Sequence, residues 1–263
     1  MVDASAQAAA RQLLPAWVAP LQISGLDLDH CPHSRADAYA VQQALFAALG
    51  DQAIGWKIAA TSTAGQQHIG VSGPMAGRLL ASRCLPDGAT VSMQGNVMRV
   101  IEAEFAFRLA SDVKPLGSSP LTVEQVMALV GDLHLAIEIP NSRYQNFLKA
   151  GEAQLIADFA CASHMVLGEA ITTEWRHLDL ATQVVQVSLG GEVIAQGLGA
   201  NALGDPRVAL TWLANELISH GLHLQAGEVV ITGTCVVPVP VQEGQTLKAQ
   251  FPGLGEVGVA IAL

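Results

Sequence analysis

The spacing of apolar residues changes character near residue 50. Before it, the alanine-rich stretch from Ala4 to Trp17 and the run AYAVQQALFAAL repeat apolar positions at helical intervals. Ser34-Arg35-Ala36-Asp37 forms a capping-box pattern ahead of the second run, and Gly50 closes it. After it, short alternating segments predict strands at Ile54 to Ala60, Thr90 to Met93, Arg99 to Leu109, Leu133 to Ile139 and Ser163 to Leu167. Five more follow at Val184 to Leu189, Val193 to Gln196, Val229 to Thr232, Thr246 to Phe251 and Val257 to Leu263. Gly190-Gly191 between two of these reads as a hairpin turn. Helices are predicted at Thr63 to Ile69, Val123 to Val130 and Pro206 to His220, the last with Asp205 as N-cap and Gly221 as its stop.

Hairpin-joined strands with occasional helices are not the βαβα alternation of a doubly wound sheet. They predict an α+β roll or sandwich: one principal domain over residues 51–263, preceded by an N-terminal helical arm over residues 1–50. Gly197-Leu198-Gly199 with Gly204 departs from the spacing of a dinucleotide loop and reads as a flexible connection into the Asp205-capped helix.

Composition narrows the partners. The chain has 263 residues, 51% of them apolar and 14% charged, enough for a core that needs no staple. With 13 Lys and Arg against 23 Asp and Glu, its net charge is −10, which argues against nucleic acid or an anionic membrane surface and for a small-molecule partner. No apolar run approaches a membrane span, and the N-terminal residues lack the pattern of a secretion signal, so a cytoplasmic protein is expected. Cys31, Cys84, Cys161 and Cys235 are widely spaced and read as reduced thiols. His30-Cys31-Pro32-His33 has no partner pair and reads as a loop, while His134 and His164 flank strands as core or rim residues.

The chemistry concentrates in a few segments. With a period of two, Ile101, Ala103, Phe105, Phe107 and Leu109 share one strand face, and Glu102 and Glu104 lie side by side on the other. Such a pair is either a solvated edge or a bridge for a divalent cation. Glu138, in the apolar strand His134 to Ile139, needs a partner, either a buried ion pair or a place in the same oxygen cage. Lys57 interrupts the strand after Gly55-Trp56 and either snorkels to water or serves proton transfer and carboxylate binding. Thr232, Gly233 and Thr234 either present hydroxyl and N–H groups to a substrate carboxylate or form a strand-ending turn. His68 either reaches the site from its helix or lies on the helix surface.

These residues carry a resemblance. Gly55-Trp56-Lys57-Ile58, Gly65-Gln66-Gln67-His68-Ile69-Gly70-Val71, the Glu102 and Glu104 strand, Ala136-Ile137-Glu138, Ala157-Asp158 and Ile231-Thr232-Gly233 stand in the order and spacing of the hydratase and decarboxylase branch of the fumarylacetoacetate hydrolase superfamily. The resemblance implies a mixed β-roll with flanking helices and one Mg²⁺ or Mn²⁺ on Glu102, Glu104 and Glu138. It implies catalytic positions at Lys57, Ser82 and Asp158 and substrate contacts at His68, Thr232, Gly233 and Thr234. The implied activity is that of a lyase acting on a 2-oxo acid through a metal-stabilised enolate, first as a hydratase of 2-oxopent-4-enoate type. A 4-oxalocrotonate-type decarboxylase or an acylpyruvate C–C hydrolase is the alternative, and a noncatalytic subunit supporting a partner lyase is the reading of another class. Self-association into a homo-oligomer is expected.

Two positions depart from the pattern. The hydratases of this family usually carry aspartate where Ser82 stands, and they read Ala-Asp-Asn-Ala-Ser where this chain has Ala157-Asp158-Phe159-Ala160-Cys161. Neither Ser82 nor Phe159 is a base at neutral pH, so the handling of water is expected to differ. Arg83, beside Ser82, reads as a surface residue.

Overall fold

The computed structural model describes residues 3–262, so Leu263 of the last predicted strand lies outside the described residues. Two helices open the chain, α1 (Ala4–Val18) and α2 (Arg35–Leu49). α1 buries Ala6, Ala9, Ala10, Leu13, Ala16 and Trp17, the three-and-four spacing of a single face. α2 begins at the reciprocal Ser34–Asp37 capping box and ends on Gly50, whose φ of 65° suits the left-handed cap. There follow β1 (Ala53–Ala59), α3 (Thr63–Ile69), β2 (Met75–Leu80), β3 (Cys84–Pro86), β4 (Thr90–Ser92), β5 (Val100–Leu109), α4 (Val123–Met127), β6 (Val130–Ile139), α5 (Glu152–Ala157) and β7 (His164–Ala170). The chain closes with β8 (Val184–Leu189), β9 (Glu192–Leu198), α6 (Pro206–Ser219), β10 (Val229–Thr234), β11 (Val239–Pro240), β12 (Thr246–Phe251) and β13 (Gly255–Ala262).

The strands form two sheets, one in the order β2-β1-β10-β5-β6-β7-β3 with β11 beside β5, the other in the order β4-β13-β12-β8-β9. Both are mixed: β1 runs parallel to β10 and β3 to β7 in the first, β13 to β4 in the second. The edge strands β2 and β3 are consecutive in the chain, joined by a short turn over Ala81–Arg83, so the larger sheet curls until its two edges approach. The fold is α+β, a half-barrel sheet with a second sheet against it and helices at the N-terminus. The face of β5 that carries Phe105 packs between the sheets, with the Phe105 and Phe251 rings 5.0 Å apart. Burying each such ring contributes roughly 2 kcal/mol or more. That leaves the opposite face of β5, with both its carboxylates, turned into the trough of the curled sheet.

Some elements differ from expectation. The predicted helix Val123 to Val130 ends at Met127, because β6 claims the chain from Val130. Strands β2, β3 and β11 and helix α5 are additional: they are short, and Gly77 and Arg78 break the apolar alternation of β2. Arg83 is not a plain surface residue, since its guanidinium stands 5.2 Å from the Trp17 ring and donates to Trp17 O. All four cysteines are free. No helix among the described residues is long and apolar enough to cross a membrane.

Candidate metal and substrate site

The trough gathers the charged residues that the sequence scatters. Glu102 on β5 stands directly opposite Glu138 on β6, and Glu104 lies two residues further along the same face of β5. Lys57 is on β1, with β10 and β5 intervening before β6. In a flat sheet those three steps would separate the backbones by about 14 Å. Lys57 Nζ nevertheless lies 2.9 Å from Glu138 Oε1, which only the curl permits. Glu104 and Glu138 are completely buried and Lys57 nearly so, whereas Glu102 is partly exposed and marks the open side.

Among the described residues, Glu102, Glu104 and Glu138 are the one group of three potential metal-binding side chains that converge, each offering an oxygen within 4.8 Å of the others. Glu104 Oε2 accepts a 2.7 Å hydrogen bond from Gly233 N. Glu104 Oε1 and Glu138 Oε2 accept none among the described residues. Unpaired carboxylate oxygens without water are costly. Burial and then the Glu138 charge push the Glu102 carboxyl up to about 7, against the pull of Lys57. Burial, followed by the charges of Glu138 and Glu102, raises Glu104 well above the usual carboxylate range. Glu138 is raised by burial and held down by Lys57. Burial alone would lower Lys57, but Glu138 and Glu102 outweigh it and keep the ammonium charged. With all three ionised, three carboxylates against one ammonium would carry two net negative charges, which one divalent cation would neutralise while displacing the protons that burial otherwise favours. Hard oxygen donors with free lone pairs fit Mg²⁺ or Mn²⁺.

Backbone geometry aims two further groups at the trough. Gly233 ends β10 at φ 105°, and a Cβ there would come within 2.3 Å of Thr61 Oγ1, so only glycine lets its N–H reach Glu104. On the other side, Ala160 O accepts a 3.0 Å hydrogen bond from Lys57 Nζ. Ala160 belongs to a turn in which Phe159, Ala160 and Cys161 have φ of 51°, 48° and 64°, three successive left-handed residues with side chains. Such a conformation costs about 1 kcal/mol or more per residue and must be held by its surroundings. Burial pushes the Cys161 thiol up to about 12, so it is no thiolate nucleophile.

The remaining expected site residues divide. Thr232 Oγ1 donates to Phe105 O at 3.1 Å and Thr234 Oγ1 to Val236 O at 2.7 Å, so both hydroxyl protons shape the strand end. Asp158 is fully buried and is not among the converging carboxylates; Arg143, Trp17 and Ser142 hydrogen-bond its carboxylate. Ser82 is exposed and donates to Asp51; because Leu80 pairs with Ala53, it sits beyond the far end of β1, roughly 13 Å of strand from Lys57. Its hydroxyl is thus engaged outside the carboxylate cluster. His68 is exposed on α3 and hydrogen-bonds no member of the cluster. Arg143, Trp17, Gly77 and the Ala160 carbonyl had no place in the sequence reading: each acts through a backbone group or a distant contact that no local motif marks.

The family model described as Fumarylacetoacetate (FAA) hydrolase C-terminal matches residues 71–262. The chain is 33% identical over 225 residues to a 4-oxalocrotonate decarboxylase of a Pseudomonas species, covering 84% of this chain and 83% of that protein. It is equally 33% identical over 244 residues to a 2-keto-4-pentenoate hydratase of Burkholderia vietnamiensis, covering 91% and 89%. The structure of 4-oxalocrotonate decarboxylase from Pseudomonas putida, complexed with magnesium and adipate, superposes with a TM-score of 0.87 at 29% identity over 97% of both chains.

Proposed function

We propose, from the premise that this chain belongs to the fumarylacetoacetate hydrolase family and its hydratase and decarboxylase branch, that it is a divalent-metal lyase acting on an unsaturated 2-oxo acid. The observation that carries this reading is the cluster of Glu102, Glu104 and Glu138, in which oxygens of the buried Glu104 and Glu138 accept no hydrogen bond among the described residues, faced by the Lys57 ammonium. Glu102, Glu104 and Glu138 would hold Mg²⁺ or Mn²⁺, which would supply a Lewis acid for the keto group and make the adjacent C–H more acidic. Lys57, kept protonated by its neighbours, balances negative charge that develops on the substrate oxygens and can donate a proton at carbon. Its Nζ has three protons, of which one goes to Ala160 O and one faces Glu138, leaving the third for the substrate. The Gly233 N–H holds Glu104 in the orientation that keeps Oε1 free.

Hydration of a 2-keto-4-pentenoate-type acid is the leading activity, because at the same 33% identity the Burkholderia vietnamiensis hydratase aligns over 91% of this chain and the Pseudomonas decarboxylase over 84%. Decarboxylation of a 4-oxalocrotonate-type acid is the second reading, and one observation favours it. Ser82 is turned to Asp51 outside the trough, and Phe159 is buried against the Trp17 ring at 4.7 Å, so neither places a water on the substrate. Mg²⁺-dependent turnover of the two acids, followed side by side, tests the assignment. Release of a hydroxylated 2-oxo acid supports the hydratase, release of CO₂ supports the decarboxylase, and turnover of neither, with or without Mg²⁺ or Mn²⁺, contradicts the lyase.

A further inference from the structure

Lys57 approaches the carboxylates through a backbone carbonyl that is itself under constraint. Ala160 O, which receives the Lys57 ammonium at 3.0 Å, sits in the middle of the left-handed turn Phe159 to Cys161. That turn is gripped from two sides. On one, Gly77 of β2 lies so close that a Cβ would come within 1.8 Å of Phe159 O. On the other, the turn hangs from Asp158: Cys161 N donates to Asp158 O at 3.1 Å, and Arg143 Nη2 donates to the same carbonyl at 2.9 Å. The Asp158 carboxylate is anchored in turn by Arg143 N at 2.8 Å and by the indole N–H of Trp17 at 3.0 Å. Trp17 belongs to α1, outside residues 71–262, and is nearly fully buried, with its ring 3.8 Å from the Arg143 guanidinium and 4.7 Å from the Phe159 ring.

We propose that the N-terminal helix positions the Lys57 ammonium: Trp17 fixes Asp158, Asp158 fixes the Phe159 to Cys161 turn, and the Ala160 carbonyl of that turn aims Nζ between Glu138 and the substrate. Trp17 and Asp158 are positioning residues here, which reassigns Asp158 from direct participation to support. A turn with three unfavourable φ angles has no local reason to keep its shape, so its shape depends on the groups that clamp it. An ammonium fixed by two acceptors presents its remaining proton in one direction, whereas a displaced carbonyl would let it swing toward Glu138 alone. The inference rests on the reading of Lys57 as the group that faces substrate, and its test has a readout independent of turnover.

The measurement is hydrogen exchange of the Lys57 ammonium, followed by ¹H–¹⁵N NMR on the full chain, with the signal identified by its loss in Lys57→Met. Trp17→Phe deletes the indole donor and keeps a ring over Arg143, while Gly77→Ala presses on the turn from the opposite side. Both variants are expected to accelerate the Lys57 ammonium exchange about tenfold and to leave Mg²⁺ affinity by calorimetry within twofold. Deuterium incorporation at C3 of pyruvate with Mg²⁺ is expected to slow in kcat about tenfold, with KM within twofold. A lowered Tm with unchanged ammonium exchange in whichever variant folds would overturn the proposal and leave Trp17 a packing residue. Faster ammonium exchange, combined with full deuterium incorporation by Lys57→Met, would uphold the positioning and overturn the proposed role of Lys57 in the reaction.

Discussion

Two charge clusters lie within one connected stretch of this fold, one wholly buried and one buried but for Glu102, and they are built on opposite terms. Around Asp158 every carboxylate oxygen is used: Oδ1 accepts from Trp17 Nε1 and Arg143 Nε, Oδ2 from Arg143 N and Ser142 Oγ. One negative charge meets one positive charge. In the trough, three carboxylates meet a single ammonium, and Glu104 Oε1 and Glu138 Oε2 accept no hydrogen bond among the described residues. The first arrangement is complete as folded, and removing either partner strands a buried charge. The second is incomplete by two charges and a set of lone pairs, which is the condition of a cation site. Burial by itself therefore does not distinguish structure from function in this protein; unsatisfied bonding capacity does.

That contrast can be broken by substitution. Glu104→Gln or Glu138→Gln should weaken Mg²⁺ binding by roughly 100-fold or more, because an amide brings no charge to a hard dication. Calorimetric titration checks it, and affinity within threefold of wild type in both variants would dissolve the difference between the clusters. Metal-free, Glu104→Gln should leave the Tm unchanged or higher, since it relieves repulsion between buried carboxylates, whereas Glu138→Gln takes the ion-pair partner from the buried Lys57 ammonium and should lower it.

Asp158→Asn should do the reverse. It leaves Arg143 buried without its anion and is expected to cost about 3 kcal/mol of stability in denaturant unfolding, with Mg²⁺ affinity within threefold. A stable Asp158→Asn protein that has lost the metal would place Asp158 in the trough's chemistry instead.

The clusters should also separate by pH. The Glu102 carboxyl, raised to about 7 in the fold, keeps a proton that the unfolded chain releases above 4.5. Its contribution to stability is present below pH 4.5 and is lost as pH rises through 7. Without metal, the Tm of wild type relative to Glu102→Gln should fall by several degrees across that window, and saturating Mg²⁺ should remove the fall. A flat difference would mean that Glu102 is not held in competition with its neighbours. The smallest effect is expected at the other end of the sheet: Ser82→Ala removes an exposed bond to Asp51 and should change turnover by less than twofold.

How far these features were legible in the sequence follows from their range. The strand that carries Glu102 and Glu104 announced itself by alternation, and the hairpin at Gly190 and Gly191 and the cap at Ser34 by local turn chemistry, because each is decided within a few residues. β2 hid behind Gly77 and Arg78, and α5 is only six residues long, too short for a period to show. The ion pair between Lys57 and Glu138 depends on a sheet curled across three strand steps, which no spacing along the chain encodes. Asp158 drew a catalytic role only from its place in the family pattern, while the partners its carboxylate has in the fold, Arg143 and Trp17, lie 15 and 141 residues away.

The most direct test of the central claim, that the trough and not the Asp158 cluster holds a divalent cation, is an anomalous difference map from crystals grown with Mn²⁺. A single strong peak among Glu102, Glu104 and Glu138, absent in Glu138→Gln crystals grown the same way, is the predicted result. A trough that keeps its carboxylates in place at millimolar Mn²⁺ with no peak between them would contradict it.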